Sequence, residues 1–332
     1  METAADRGGV GIAADRGGAG IAADLHDVRI SRREAMAGLG ASAGLAACGE
    51  RPRTTGDVFA AGQPAAILLL ALAPERLIGW PRRPPAAALA LLGPGANKRE
   101  VGALTAGGTP ASLETVAALR PATILDYGDP SPRYRALGER VGRRLGVPAR
   151  LMDGALRATP EAIRDAGALL GVEARAALLA EAARTTLAAW ARPPGTGPRF
   201  IYARGDGLET GFVGSLATEG LEGAGWVNVA AGGSGIGRVG REQVAAWDPE
   251  VLVTLDPRFA ARASNDPVWS RRRAGERRRV LLLPDRPFGW IDRPPSINRL
   301  LGCAWLGGGD PHALARLFWG VRGGLPTPRW LP

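Results

Sequence analysis

Lysine is almost missing from this chain of 332 residues: Lys98 stands alone, so the other 41 of its 42 basic side chains are arginine. Histidine and cysteine are each present twice and tyrosine three times, and aromatic residues make up 5%. Two cysteines exclude a disulfide-stapled framework, and two histidines, His26 and His312, exclude a polyhistidine metal centre. No HExxH, CxxC or GxxxxGK motif occurs, which removes zinc-protease, thiol-redox and P-loop chemistry. What is present is ordinary globular composition, 45% hydrophobic and 22% charged, too apolar for a disordered chain. The length allows one large domain or two of about 150 residues. A net charge of +10 raises the question of nucleic acid.

The first fifty residues read as an address. Ala4-Ala5-Asp6-Arg7-Gly8-Gly9 recurs as Ala13-Ala14-Asp15-Arg16-Gly17-Gly18, a nine-residue repeat expected to be a leader or a start assigned too early. Ser31-Arg32-Arg33 follows, then an uncharged stretch to Ala47 that ends Leu45-Ala46-Ala47-Cys48. A charged region, a short apolar run and small residues before a cut describe an export signal. The run is too short to span about 30 Å of hydrocarbon as a helix. Arg32-Arg33 resembles a twin-arginine signal and the residues before Cys48 resemble a lipoprotein box. That resemblance implies cleavage before Cys48 and acylation of it, a membrane anchor of more than one chain. Cys303 is then left alone.

A linker is expected at 48–57, and beyond it short apolar runs alternate with helical patterns, which argues for an α/β architecture. Strands are expected at Ala66–Leu72, Thr123–Asp126, Arg199–Ala203, Val251–Leu255 and Val280–Leu283. An internal echo at offset 128 aligns 113–125 with 241–253: a short helix with Glu at its second position, a proline that stops it, then a buried strand. Between the copies, Glu173–Arg192 runs without Gly or Pro, after a helical start at Thr159-Pro160 that Gly171 interrupts. The spacing predicts two similar lobes, at 58–157 and 193–332, joined through the helical segment 158–192.

This layout resembles the substrate-binding proteins of ABC importers for ferric siderophores, haem and cobalamin, the TroA-like metal-chelate receptors. The resemblance covers about residues 58–325. It is carried by Pro74–Trp80, the paired Glu/Pro units, the linking helix, Val239–Val244, Tyr202–Gly211 and Phe288–Leu300. It implies an α/β fold of two Rossmann-like lobes joined by a single long backbone helix with the ligand cleft between the lobes, a chelate carried as cargo, a permease with its ATPase as partners, no reaction and no resident cofactor or protein-bound metal. It also implies an exported, lipid-anchored monomer. In that family one Glu on each lobe docks on arginines of the permease, and Glu114 and Glu242 sit at the matching positions.

Ligands of open α/β sheets bind beyond the carboxyl ends of the strands. The loops there supply Trp80, Tyr127, Arg204, Glu209, Trp290 and Arg293 as candidate ligand contacts, aromatics for flat apolar area and arginine as a fork for carboxylates. Tyr127 is the best-placed tyrosine for a haem iron. The rival reading is an exported NAD(P)-binding oxidoreductase. Gly235-Ile236-Gly237-Arg238-Val239-Gly240 is a literal GxGxxG between a possible strand at Trp226–Ala230 and a helix, with Asp256 ending the next strand. The charge question sharpens too. Residues 1–47 hold five arginines against six acids, so the remainder carries +11. Six arginines cluster at Arg271–Arg273 and Arg277–Arg279. For an exported protein they are expected on a solvated face, against lipid headgroups or lining the cleft, and nucleic acid is not an expected partner.

Overall fold

The computed structural model describes residues 56–331 apart from 106, 107 and 273. The first lobe runs β1 (Val58–Ala60), α1 (Gln63–Leu72), α2 (Ala86–Leu89), α3 (Leu113–Ala118), β2 (Thr123–Gly128), α4 (Pro132–Leu145) and β3 (Ala149–Asp153). Its strands are parallel, in the order β1-β2-β3. Alternate side chains of a strand take opposite faces. Val58, Ala60, Leu125 and Tyr127 therefore build one core with α1. Phe59, Ala61 and Ile124 build the other with Val116 of α3.

One expected strand is a helix. Ala66–Leu72 forms the body of α1, with Pro64 in its first turn. Alanine and leucine are strong helix formers, and Ile67 is the only β-branched residue of the element. Because almost every residue of α1 is buried, the run carries no 3.6-residue polar rhythm to betray it.

The lobes are linked by α5 (Thr159–Leu170) and α6 (Glu173–Trp190). Gly171 ends α5 in the left-handed conformation at φ 66°, a geometry that favours glycine. A β-carbon on Gly167 would lie 2.1 Å from that of Ala176, so the two helices meet backbone to backbone. The 18 residues of α6 give a rod of about 27 Å.

The second lobe contains β4 (Arg199–Arg204), β5 (Glu209–Gly211), α7 (Glu219–Glu222), β6 (Val227–Asn228), β7 (Ile236–Arg238), α8 (Arg241–Trp247), β8 (Val251–Thr254), α9 (Pro257–Ala263), α10 (Pro267–Ser270) and β9 (Arg279–Leu282). After these come α11 (Arg299–Leu306), α12 (Pro311–Trp319) and β10 (Arg329–Leu331). The sheet order is β10-β9-β8-β4-β5-β7, with β6 beside β4. β4, β6, β8 and β9 are parallel, while β5, β7 and β10 pair antiparallel. Phe200, Tyr202, Val251 and Val253 fill one face, Ile201, Ala203 and Leu252 the other, as a sheet covered on both sides requires.

The last helix of the expected second lobe, 193–332, reaches the first. α12 packs on α1: the Trp319 indole donates to the Ile67 carbonyl at 3.1 Å, and Arg175 of α6 donates to Ala71 at 3.1 Å and to Leu317 at 2.6 Å. One apolar core thus joins α1, α5, α6, α11 and α12.

The internal echo holds at the level of the backbone. Ser112 and Gly240 occupy the N-cap positions of α3 and α8. Arg120 and Asp248, each just before the proline, adopt φ 50° and 46°. These are left-handed exits that only a few non-glycine residues show. Among the described residues no helix is long and apolar enough to cross a membrane.

Candidate functional site

The parallel strands β4, β8 and β9 place their carboxyl ends on one end of the second lobe. Arg204 is the last residue of β4, and the antiparallel turn into β5 sets Glu209 directly opposite it. The guanidinium lies 3.5 Å from the Glu209 carboxylate and 3.2 Å from that of Asp292. Asp292 is buried and accepts the Tyr202 hydroxyl at 3.0 Å. Burial, with the Asp292 charge second, holds the Tyr202 phenol well above its ordinary range, so it stays protonated and donates. The result is an arginine anchored from beneath by a buried acid, whose side chain is 5% exposed, and capped by Glu209, which is 45% exposed. Such a fork is preorganised for an anion, which would take the place of Glu209.

The loop carrying Asp292 is fixed by its own polar groups. Asn298 donates to the carbonyls of Gly289 and Pro294 and accepts the Ser296 amide. Ser296 in turn donates to the Pro64 carbonyl of the first lobe at 2.7 Å. A β-carbon at Gly289 would lie 2.1 Å from the Asp292 carbonyl, so only glycine permits this closed loop. Arg293 next to Asp292 is exposed and left-handed at φ 63°. A non-glycine residue there costs on the order of 1–3 kcal/mol, a strain that concentrates at functional sites. Gln63 of the first lobe, beside Pro64, accepts the Arg82 amide at 3.0 Å, so Arg82 is held near the same seam.

The structure brings Arg204, Glu209 and Arg293 to one end of the second lobe, and separates them from the other three expected contacts. Trp80 is fully buried, with its indole donating to the Ala96 carbonyl at 2.8 Å and its ring 6.3 Å from Phe288. Tyr127 is buried with its hydroxyl 3.3 Å from that of Thr159. Trp290 is buried in the shared core. All three are core residues without a face for a ligand. Tyr127 does lie near the end of β2, but the strand expected before Trp80 is α1; Phe288 packs beside Trp80 and Thr159 beside Tyr127. Sequence reasoning missed Asp292 and Tyr202 as members of the site; an acid directly before Arg293-Pro294-Pro295 was the available signal.

The dinucleotide reading fails on topology. A phosphate-binding GxGxxG is the turn from a parallel strand into a crossover helix. Here Ile236–Arg238 is itself a strand, β7, paired antiparallel with β5. The helix that follows has seven residues. Titration with NADH or NADPH is expected to give no saturable fluorescence change at micromolar protein; tight binding would reverse this conclusion.

No family model and no curated protein matches the sequence. Solved structures do. An ABC transporter solute binding protein from Sulfurospirillum deleyianum superposes with TM-score 0.70 at 25% identity, over 82% of this chain and 92% of that one. The chain has the fold of that ABC transporter solute binding protein. The molybdate periplasmic binding protein MolA of Haemophilus influenzae shares the fold (TM-score 0.61, 17% identity, 82% of this chain and 95% of that one). So does the periplasmic vitamin B12 binding protein BtuF of Vibrio cholerae (0.57, 18%, 76% and 94%). These two establish fold alone.

The two carboxylates expected to dock are exposed, in the first turns of α3 and α8. Glu242 lies four residues past Arg238, which pairs with Glu209 opposite Arg204. Hydrogen bonds from its own backbone and from Ser112 hold the Glu114 carboxyl below its usual range, so it is charged at neutral pH. The arginine run, by contrast, is at the other end, where β9 begins. Arg278 is buried and donates to the Pro249 and Trp269 carbonyls, Arg277 to Ser264, and Arg272 to Glu276. Arg279 lies over the Trp330 ring. These arginines knit turns together and do not line the ligand end. Arg32, Arg33 and Cys48 fall outside the described residues. Cys303 is buried, and burial pushes its thiol far above the ordinary range.

Proposed function

We propose that this protein captures an anionic metal chelate at the Arg204 cluster and hands it to an ABC permease that docks on Glu114 and Glu242. A ferric siderophore is the first candidate, haem or cobalamin the next. The observation that carries the reading is the arginine fork itself, anchored by buried Asp292 and capped by a displaceable Glu209 at the strand ends. A chelate that brings its own metal ligands suits these residues. Tyr127 and Tyr202, candidate axial ligands for haem, are both buried with their hydroxyls engaged. The His312 Nδ1 accepts the Leu325 amide. The shared core of α1, α6 and α12 supports small lobe movements rather than wide closure. Export through Arg32-Arg33 and acylation at Cys48 complete the reading: a monomeric receptor tethered beside its permease and ATPase, with no role for nucleic acid.

Purification from native cells, followed by an ultraviolet–visible spectrum and metal analysis of the bound ligand, tests the cargo. A metal-free preparation that binds only uncharged solutes would sink the chelate reading. Docking is tested separately. Glu114→Arg and Glu242→Arg are each expected to cut uptake at least about tenfold, with the binding constant unchanged, because a like charge at a desolvated contact costs several kcal/mol. Normal uptake at equal expression would remove both residues from the interface.

A further inference from the structure

A cavity of about 240 Å³ lies away from the Arg204 cluster, in the first lobe between α4 and the sheet. Its apolar wall is Ala61, Leu104, Ile124 and Val141, and Tyr134, exposed in the first turn of α4, stands at its side. The polar feature is Asp126, near the carboxyl end of β2. Its Oδ1 accepts the Tyr127 amide at 2.9 Å and the Thr105 hydroxyl at 3.4 Å. No hydrogen bond to its Oδ2 and no ion pair of this carboxylate is found among the described residues. The side chain is part-buried and lines the cavity, and an ionised carboxylate has room for about four hydrogen bonds, so Oδ2 is open to a cationic donor there.

We propose that this cavity is a second binding site, selective for a small protonated amine with an apolar body. The ammonium group would sit on the free oxygen of Asp126, the hydrocarbon on Leu104, Ile124 and Val141, and the Tyr134 ring beside the cation. Burial raises the pKa of Asp126, and a cation beside the carboxyl favours its ionised form. The other charged groups lining the cavity are Arg135 and Glu139 from α4 and Arg150 from β3. Arg135 and Arg150 donate to the backbone carbonyls of Pro130 and Ala149. The site also touches the cleft end of the lobe. Thr105, which bonds Asp126, and Leu104 both donate their amides to the Ala61 carbonyl, just past β1. An occupant therefore bears on the loop that follows the strand ends.

Calorimetric titration of the full chain with benzylamine and with benzyl alcohol tests this. The two are near-isosteric and differ in charge. Benzylamine is expected to bind saturably and about tenfold or more tighter than the alcohol, the range of a hydrogen bond to a charged group. The preference is expected to fade as pH falls, because protonation of Asp126 removes the acceptor charge. Asp126→Asn should abolish the preference without lowering the melting temperature, since the amide keeps the shape and loses the uncompensated charge. Tyr134→Ala should weaken benzylamine alone. Arg204→Ala should leave it untouched, which separates this site from the chelate site whatever becomes of the latter. Equal binding of the two probes, an unchanged preference in Asp126→Asn, or no saturable binding would each overturn the proposal.

Discussion

Replacing Arg299 by alanine is expected to cost about 3–5 kcal/mol, the range for removing one partner of a buried ion pair. At roughly 2–4 °C per kcal/mol for a chain of this size, the melting temperature should fall by about 10 °C. The side chain is fully buried in α11. Its Nη1 meets the Glu219 carboxylate at 2.6 Å and the Leu216 carbonyl at 2.7 Å, Nε donates to Ser296 at 3.1 Å, and Nη2 donates to Gly154. Glu219 also accepts the Leu156 amide at 2.9 Å. Gly154 and Leu156 follow β3 of the first lobe, whereas Leu216, Glu219 and Ser296 belong to the second. One guanidinium therefore ties both lobes, and alanine would remove the charged partner of Glu219 and the side-chain donors of the Leu216 and Gly154 carbonyls, while Ser296 keeps the backbone amide of residue 299. Lysine cannot restore the fork, so Arg299→Lys should lose most of the same stability. Glu219→Gln, which keeps an acceptor for Leu156, should lose less. Differential scanning calorimetry reads all three; a fall below about 3 °C for Arg299→Ala would show that the lobes are held by the apolar core alone.

The second large effect is on ligand affinity. Arg204→Ala is expected to weaken an anionic chelate at least about thirtyfold, since truncating a hydrogen-bonded charge at an interface costs 2–5 kcal/mol. Glu209→Gln should act in the opposite direction and tighten binding several-fold. The ligand anion and Glu209 compete for one guanidinium, and the amide competes poorly. Opposite signs from two neighbours that are paired to each other separate a competition from simple damage to the site. Isothermal titration with the native ligand gives both constants. Weaker binding in both variants would mean that Glu209 contacts the ligand instead of guarding the arginine.

Much of this architecture was legible before any coordinates. The Pro121 and Pro249 units announced two equivalent turns because a helix stop and a buried strand are written in adjacent residues, and the left-handed Arg120 and Asp248 show how literally the echo was built. The break at Gly171 was legible for the same reason. The Arg204–Glu209 pair was named residue by residue from the loops after the strands. Trp80, Tyr127 and Trp290 lie in a core assembled from distant segments, with Phe288 beside Trp80 and Thr159 beside Tyr127, and no local pattern reports that. Asp126 was read only as the end of a strand, since a cavity depends on how tightly α4 settles on its sheet.

The sequence by itself determined most element types, the echo between the two lobes and the chemical character of the strand-end loops. Each of these depends on neighbours within a dozen residues: on proline, glycine, capping groups and the alternation of apolar side chains. It did not determine that Ala66–Leu72 is a helix, that Gly235–Gly240 holds a strand instead of a phosphate loop, or that the arginine run faces away from the ligand end. Only the tertiary structure decided these. A uniformly apolar run is equally content in a buried helix or a buried strand, a glycine-rich segment fits either a loop or an edge pairing, and the direction a charge faces is fixed by how distant elements pack.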